Sequence, residues 1–438
     1  MNQQALFNSP VGGRPTSAAA SVPYEGYFRR FSPSFRLATF GITAFSLLWL
    51  AYGFRGLFAA TVGQGGAVAA VTVLVYVLMG MHLLRTGMRE FDHSYLLPLA
   101  PVLLAALSVG WSLDPQSTAT AIVSLLGCFI VGVALVSIFA FDLPRVISIA
   151  FAGYLLITIP LYFYGLDLTV YAGRNTAFQG LSSHKNQIGA IAGILTVFAY
   201  ASLRTRSGPL YIQMAFLGLG IFTILLSRAS TSLVAVVGAI ALFEVLLYSF
   251  RSSYPQVLLS LASLVIGGLG LLVILSSFDG FLSLLGEDRT LSSRTRIWAI
   301  ALHVFEQHPY LGVGHDALWD ERGTAAYLTH HLFTDAVFKQ AHNGYIQLAA
   351  ELGIVGLLVT GVVYARIFFL MLRSSLFDRR VLPFMAFFGF VIFHNLGETN
   401  LFIGNYLVFV LICSCAAIAA KVSRGQRLAH ARSHAQRA

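Results

Sequence analysis

Charge is scarce in this chain. Asp, Glu, Lys and Arg together make up 11% of its 438 residues, whereas soluble globular chains carry roughly a quarter. A chain so short of charge cannot coat a water-facing surface, which excludes a string of soluble domains. Cysteine is scarcer still. Cys128, Cys413 and Cys415 are the only three, and all fall in apolar runs, without the spacing of a metal site or a disulfide framework. Neither redox chemistry nor a cysteine-held metal is expected. The 12 histidines never adopt a ligand pattern such as H-E-x-x-H. His303, His330 and His331 are read as solvated loop residues, and His308 and His315, flanking a Pro/Gly turn, as structural. The N-terminal stretch lacks the apolar core of a cleavable signal, so residues 1–36 are read as a basic cytoplasmic tail.

What the chain has in excess is apolar sequence, 57% of its residues with a mean hydropathy of +0.76. A bilayer span needs about 20 apolar residues. Helix-compatible runs fall near 37–58, 66–84, 95–111, 119–140, 145–166, 186–203, 211–227, 230–250, 256–277, 346–371, 381–396 and 401–420. The expectation is an all-α polytopic membrane protein of about 12 transmembrane helices, nine of them within 37–277 and three within 346–420. Both termini then share a side, and residues 421–438 form a second basic tail. A net charge of +10 invites a nucleic-acid partner, but the bases sit in short loops and tails, where the positive-inside rule puts them. No nucleic acid is expected. With the N-terminus inside, 18 Lys and Arg residues are cytoplasmic and nine are outside. Glu244 and Arg366 are the charges expected within spans.

Basic residues that oppose this topology signal call for another role. Arg174, His184, Lys185, Arg228, Arg294, Arg296, His342, Asn395 and Glu398 all come out on the outer face. Several lie beside expected helix starts, where free N–H groups and the positive dipole end favour anions. Most of the outer polar sequence lies in one interval, 278–345. There Ser292-Ser293 followed by a periodic run to Gln307 reads as a short capped helix, with Arg294 in its first turn and Arg296 on another side. Trp298, four residues after Arg294, shares its face and is a candidate lipid or sugar contact. His342-Asn343-Gly344 opens the tenth run and is a candidate site for a neutral, proton-accepting imidazole.

These pieces resemble a known family. Trp111-Ser112 with Asp114-Pro115, the Gly180 to His184-Lys185-Asn186 loop, Ser293-Arg294-Thr295 with Trp298, His308-Pro309 with Gly312-Val313-Gly314, Ala341-His342-Asn343-Gly344 and His394-Asn395-Leu396-Gly397-Glu398 look like the O-antigen ligase and polysaccharide polymerase superfamily. The His184-Lys185-Asn186 version most resembles the exopolysaccharide polymerase branch. Where the family often carries an acidic residue after the Arg-Thr pair, this chain has Arg296. The resemblance covers roughly residues 100–420 and implies a GT-C-type helical glycosyltransferase of the bacterial inner membrane, with one long periplasmic loop. Such an enzyme is inverting and needs neither metal nor other cofactor. Its donor is an undecaprenyl-pyrophosphate-linked glycan, its acceptor a second glycan, and a flippase and chain-length or export proteins are its expected partners.

Chemistry of that kind needs a group to neutralise the leaving pyrophosphate and a group to take the acceptor's proton. Arg294, with Arg174 and Arg228, is the candidate for the first. His342 is the candidate base, with Glu398 as the alternative. Arg174, His184, Lys185, Asn186, Arg228, Trp298, Asn343 and Asn395 are the candidate substrate-binding residues. A ligase moving the glycan to lipid A core or a protein is the nearest alternative to a polymerase. A solute or inorganic-carbon transporter and a non-catalytic scaffold are the readings from other classes. The topology makes a direct prediction: cysteines introduced singly at Gly286 and Gly323 react with an impermeant thiol reagent in intact spheroplasts. Labelling only after lysis would reverse the orientation.

Overall fold

The computed structural model describes residues 33–54, 57–58, 61, 66–86, 93–166, 170–171, 177–249, 294–319, 340–401 and 406–435. The run expected at 256–277, the caps Ser292 and Ser293, Arg174, His330, His331 and much of the expected 278–345 loop lie outside these residues. Helices dominate. They are α1 (Pro33–Leu50), α2 (Gly66–Thr86), α3 (Leu99–Leu107), α4 (Pro115–Phe139), α5 (Leu143–Phe163), α6 (Lys185–Thr205), α7 (Leu210–Ser227), α8 (Ser230–Ser249), α9 (Arg294–Gln307), α10 (Gly344–Ser375), α11 (Leu382–His394) and α12 (Tyr406–Ala435). A two-stranded antiparallel ribbon, β1 (Val170–Tyr171) and β2 (Ala177–Phe178), precedes α6.

Among the described residues, seven helical segments are long and apolar enough to cross a membrane. One of them, Pro115–Phe163, is α4 and α5 joined by a single 3-10 turn. The expected spans at 95–111 and 381–396 are shorter as folded. α3 has nine residues and α11 has 13, or about 20 Å for α11, less than the roughly 30 Å hydrocarbon core. The basic stretch expected as a tail from residue 421 continues α12, which runs unbroken from Tyr406 to Ala435. Local chemistry accounts for several helix starts. Asp114 caps α4 by accepting from the N–H groups of Gln116 and Ser117 at 3.1 Å, with Pro115 in the first turn.

The helices pack closely, with α6 along α7, α11 against α8 and α6, and α12 against α4. Lipid gives helices little hydrophobic reason to associate, so fit between backbones matters more. Gly220 of α7 illustrates the fit, since a Cβ there would come within 2.2 Å of the Thr196 hydroxyl on α6. Leu103, Leu156, Leu358 and Val362 point outward, as lipid-facing positions do.

α10 is not a regular helix. At Gly353 the backbone turns to φ 65°, ψ −165°, a region open essentially to glycine alone. The break frees two rungs of the helical ladder, and the segment 309–314 occupies them. Ile354 and Val355 donate to the carbonyls of Pro309 and Tyr310, at 2.8 and 3.2 Å, while Val313 and Gly314 donate to the carbonyls of Ala350 and Glu351, at 3.2 and 2.9 Å. Four intersegment bonds thus replace two within the helix, which lets non-helical backbone sit beside a span without orphaned polar groups. The two backbones touch. A Cβ on Gly312 would fall 2.3 Å from the Glu351 carbonyl, and one on Gly353 would fall 2.2 Å from that of Tyr310. The same segment is held from its other side, where Leu113 donates to Val313, the Trp111 indole to Leu311, and the Thr118 hydroxyl to His315.

The splice predicts that Gly353→Ala destabilises the protein by at least about 2 kcal/mol, from the φ/ψ penalty and the collision together. Gly361→Ala is the control, because a Cβ there meets nothing within 4 Å. Thermal unfolding in detergent compares them, and equal melting temperatures would mean that the segment is not docked as described.

Candidate active site

The polar residues singled out in the sequence gather where α6, α8, α9 and α10 begin and α7 and α11 end. Glu398, in the turn after α11, is their focus. Only 6% of the residue is exposed, and three groups from three other segments meet its carboxylate. The Asn186 amide donates to Oε1 at 2.5 Å, the Arg294 guanidinium donates to the same oxygen at 3.1 Å, and His342 Nδ1 stands 3.2 Å from Oε2. Burial by itself would raise the Glu398 carboxyl. The hydrogen bond from His342 and the charges of His342, Arg294 and His394 override it and hold the group down at about 2. Glu398 is therefore ionised at physiological pH and can only accept hydrogen bonds. That state makes it a poor proton acceptor, which weighs against its reading as the alternative base.

An acceptor-only carboxylate also orients the imidazole. Nδ1 must carry the proton it donates to Glu398, so in the neutral ring the lone pair lies on Nε2. His342 sits at φ 49°, immediately before the helix cap. Asn343 accepts from the N–H groups of Tyr345 and Ile346 at 3.0 and 3.1 Å and so caps α10. Its amide also donates to the Leu396 carbonyl. The start of α10 and the turn after α11 are further joined by Gly344, which donates to the Asn395 carbonyl at 2.9 Å.

Arg294 occupies the first turn of α9, with its side chain 13% exposed. Among the described residues it spends one donor on Glu398 and another on the Thr231 hydroxyl at 3.3 Å, of the five N–H groups a guanidinium carries. Arg296 is exposed and off this cluster. Thr231, at the start of α8, joins the cluster through this bond and is not among the candidate residues taken from the sequence.

Other expected site residues take scaffolding positions. His184 caps α6, its Nδ1 accepting from the Asn186 N–H at 3.2 Å. Burial pushes the His184 imidazole down to about 4, opposed by Glu398 and assisted by His342, Lys185 and Arg294, so it caps as a neutral acceptor. Asn395 is fully buried, and both ends of its amide are committed to backbone, donating to Val391 and accepting from Asn400. These bonds make Asn395 a brace of the turn that carries Glu398. Trp298 donates its indole N–H to the Ala341 carbonyl at 2.9 Å, which makes its polar edge part of the wall. Lys185 reaches the Arg228 carbonyl at 3.5 Å. Arg228 itself ends α7 in the left-handed region and is exposed at the edge of this face.

Glu244 and Arg366, the charges expected within spans, do lie in helices long and apolar enough to cross a membrane, but neither is buried. Arg366 is on an outward surface, and Glu244 is partly exposed, paired with Arg204 at 2.6 Å near the opposite end of α8. Among the described residues, the acidic side chain that is fully buried in a helix long enough to cross a membrane is Glu351 of α10.

The O-antigen ligase family matches residues 214–361, a range that includes Arg228, Thr231, Arg294 and His342. The exopolysaccharide production protein ExoQ of Rhizobium meliloti (strain 1021) is 24% identical over 332 residues, covering 73% of this chain and 75% of the relative. Together these similarities support placing the chain in the O-antigen ligase and polysaccharide polymerase superfamily, near its exopolysaccharide branch.

Proposed function

We propose that the protein is a glycosyltransferase of the bacterial inner membrane that polymerises undecaprenyl-pyrophosphate-linked oligosaccharide repeats at the periplasmic face. The observation that carries the reading is the meeting of Arg294, His342 and Asn186 on one buried, ionised Glu398. A fixed cation, a tautomer-selected imidazole and the N-termini of α9 and α10 occupy one end of the bundle. Phosphate leaving chemistry uses the cation and the helix ends; hydroxyl attack uses the imidazole. A GT-C-type arrangement of membrane helices, with the 278–345 interval outside, belongs to this proposal, as do a flippase and export proteins as partners.

In the proposed step the acceptor hydroxyl attacks the anomeric carbon from the face opposite the lipid pyrophosphate. The new C–O bond forms as the bond to the pyrophosphate oxygen breaks, and the configuration inverts. The departing electron pair resides on the pyrophosphate, where the Arg294 guanidinium stabilises it, with Arg228 supporting from the edge and Arg174 as a further candidate contact. His342 Nε2 takes the hydroxyl proton, and Glu398 holds the ring and offsets its positive charge, an arrangement of base and orienting carboxylate familiar from triads. Positive charge for the leaving group comes from arginine, so the reading needs no metal.

The match to the O-antigen ligase family favours a second reading of the same site, in which the acceptor is a lipid A core or protein hydroxyl rather than another glycan. The chemistry is unchanged, and only the acceptor differs.

Purified His342→Ala is expected to bind the lipid-linked donor as the wild type does and to transfer it about 10²–10⁴-fold more slowly. Arg294→Lys, which keeps the charge but loses the planar fork, is expected to weaken donor binding. EDTA is expected to leave the wild-type rate unchanged. Loss of donor binding in His342→Ala would make the residue a phosphate ligand. Solute uptake into liposomes without any glycosidic bond formation would overturn the enzyme reading.

A further inference from the structure

We propose that Gln347 is a positioning residue for His342, held in one orientation by the buried Glu351, and that Trp298 completes the same clamp. The inference rests on the glycosyltransferase reading only for its kinetic consequence. Its geometric part stands on the hydrogen bonds around one residue. That residue is Ala341, which precedes His342. Its N–H donates to Gln347 Oε1 at 2.8 Å, and its carbonyl accepts from the Trp298 indole at 2.9 Å. Both polar atoms of the residue that launches His342 are thus fixed, one by α10 and the other by α9.

Gln347 cannot turn its amide round. Its Oε1 faces two donors, the Ala341 N–H and, at 3.4 Å, the Trp319 indole. Its Nε2 donates to Glu351 Oε1 at 2.9 Å. The other carboxylate oxygen of Glu351 accepts from the Asp316 N–H at 2.9 Å and faces His315 Nδ1 at 3.3 Å. Gln347 and Glu351 are completely buried and His315 is 1% exposed. A flipped amide would set Nε2 against two donors and Oε1 against a carboxylate, each contact repulsive. Glu351 therefore selects the amide orientation, and the amide selects the position of Ala341. The chain of bonds runs from the 309–316 segment, spliced into α10, to the residue carrying the candidate base.

His342 needs such a hold. It lies in the left-handed region at φ 49°, which a non-glycine residue keeps only when its surroundings impose it. Release of Ala341 would let the backbone relax and carry the imidazole away from Glu398, with the donor's binding groups on α9 left in place. The expected signature is a fall in kcat with the donor KM unchanged.

The test uses full-length protein in nanodiscs with an undecaprenyl-pyrophosphate-linked glycan as donor. Gln347→Leu is expected to lower kcat by about 10²-fold, the scale of a misplaced catalytic group. Trp298→Phe, which removes the indole N–H that holds the Ala341 carbonyl together with part of the ring's bulk, is expected to give a smaller loss of the same kind and carries the test alone should Gln347→Leu fail to accumulate. In a His342→Ala background neither change should cost anything more, because residues acting through one group are not additive. A raised KM at constant kcat, or losses that multiply with His342→Ala, would overturn the clamp. A second readout needs no turnover. Carbethoxylation of His342 by diethyl pyrocarbonate, followed by mass spectrometry, should be faster in both variants as the ring leaves Glu398. An unchanged rate overturns the clamp, whereas a faster rate in a protein whose wild type transfers no sugar supports the clamp and overturns only the glycosyltransferase reading.

Discussion

Glu398 is an ionised carboxylate 6% exposed to its surroundings, and a charge in that position must be met by donors or be neutralised. Its donors come from the starts of α6, α9 and α10, so the carboxylate ties together segments separated by up to 212 positions in the chain. Removing any one partner leaves a buried charge short of a donor, which typically costs about 3–5 kcal/mol. The constraint works in both directions. Glu398 holds Arg294 and His342 in place, and they hold it ionised.

The end of the bundle that carries Glu398 is built on a second constraint, that backbone beside a span must find partners within the protein. The broken α10 satisfies it by sharing its free rungs with the 309–314 segment. This places Asp316 and His315 against Glu351, and through Gln347 it connects the splice to His342. A loop that looks peripheral in the chain is thereby made part of the wall behind the candidate base. The opposite end of the bundle has a simpler polar feature, the bidentate pair of Arg204 and Glu244 joined by Tyr200.

Much of this was legible in the chain. The apolar runs located the helices because a span's length is set by the bilayer, and the short helix ending at Gln307 was marked by its periodicity. The convergence of Arg294, His342 and Glu398 on one face followed from counting spans. The break at Gly353 was not legible, because a glycine within an apolar run is also ordinary in a membrane helix, and its partner segment lies some forty residues earlier. Glu351 was absorbed into an apolar run, although its i,i+4 relation to Gln347 is a local signal that both face the same way. Asn343 and Asn395 read as ligands because amides suit sugars equally well as helix caps, and only their bonding to backbone separates the two roles. The binding role of Trp298 was a reading of its face. Its indole N–H, aimed at Ala341, depends on how α9 meets the start of α10.

The central claim is that the Glu398-centred cluster receives the pyrophosphate of a lipid-linked glycan. A structure of the protein in nanodiscs with undecaprenyl pyrophosphate bound tests it most directly. The account predicts phosphate oxygens within hydrogen-bond reach of Arg294, beside the N-termini of α9 and α10, with His342 Nε2 facing the space where the acceptor hydroxyl would enter. A pyrophosphate held elsewhere, as by Arg204 at the opposite end of α6, with Arg294 still bonded only to Glu398 and Thr231, would contradict it.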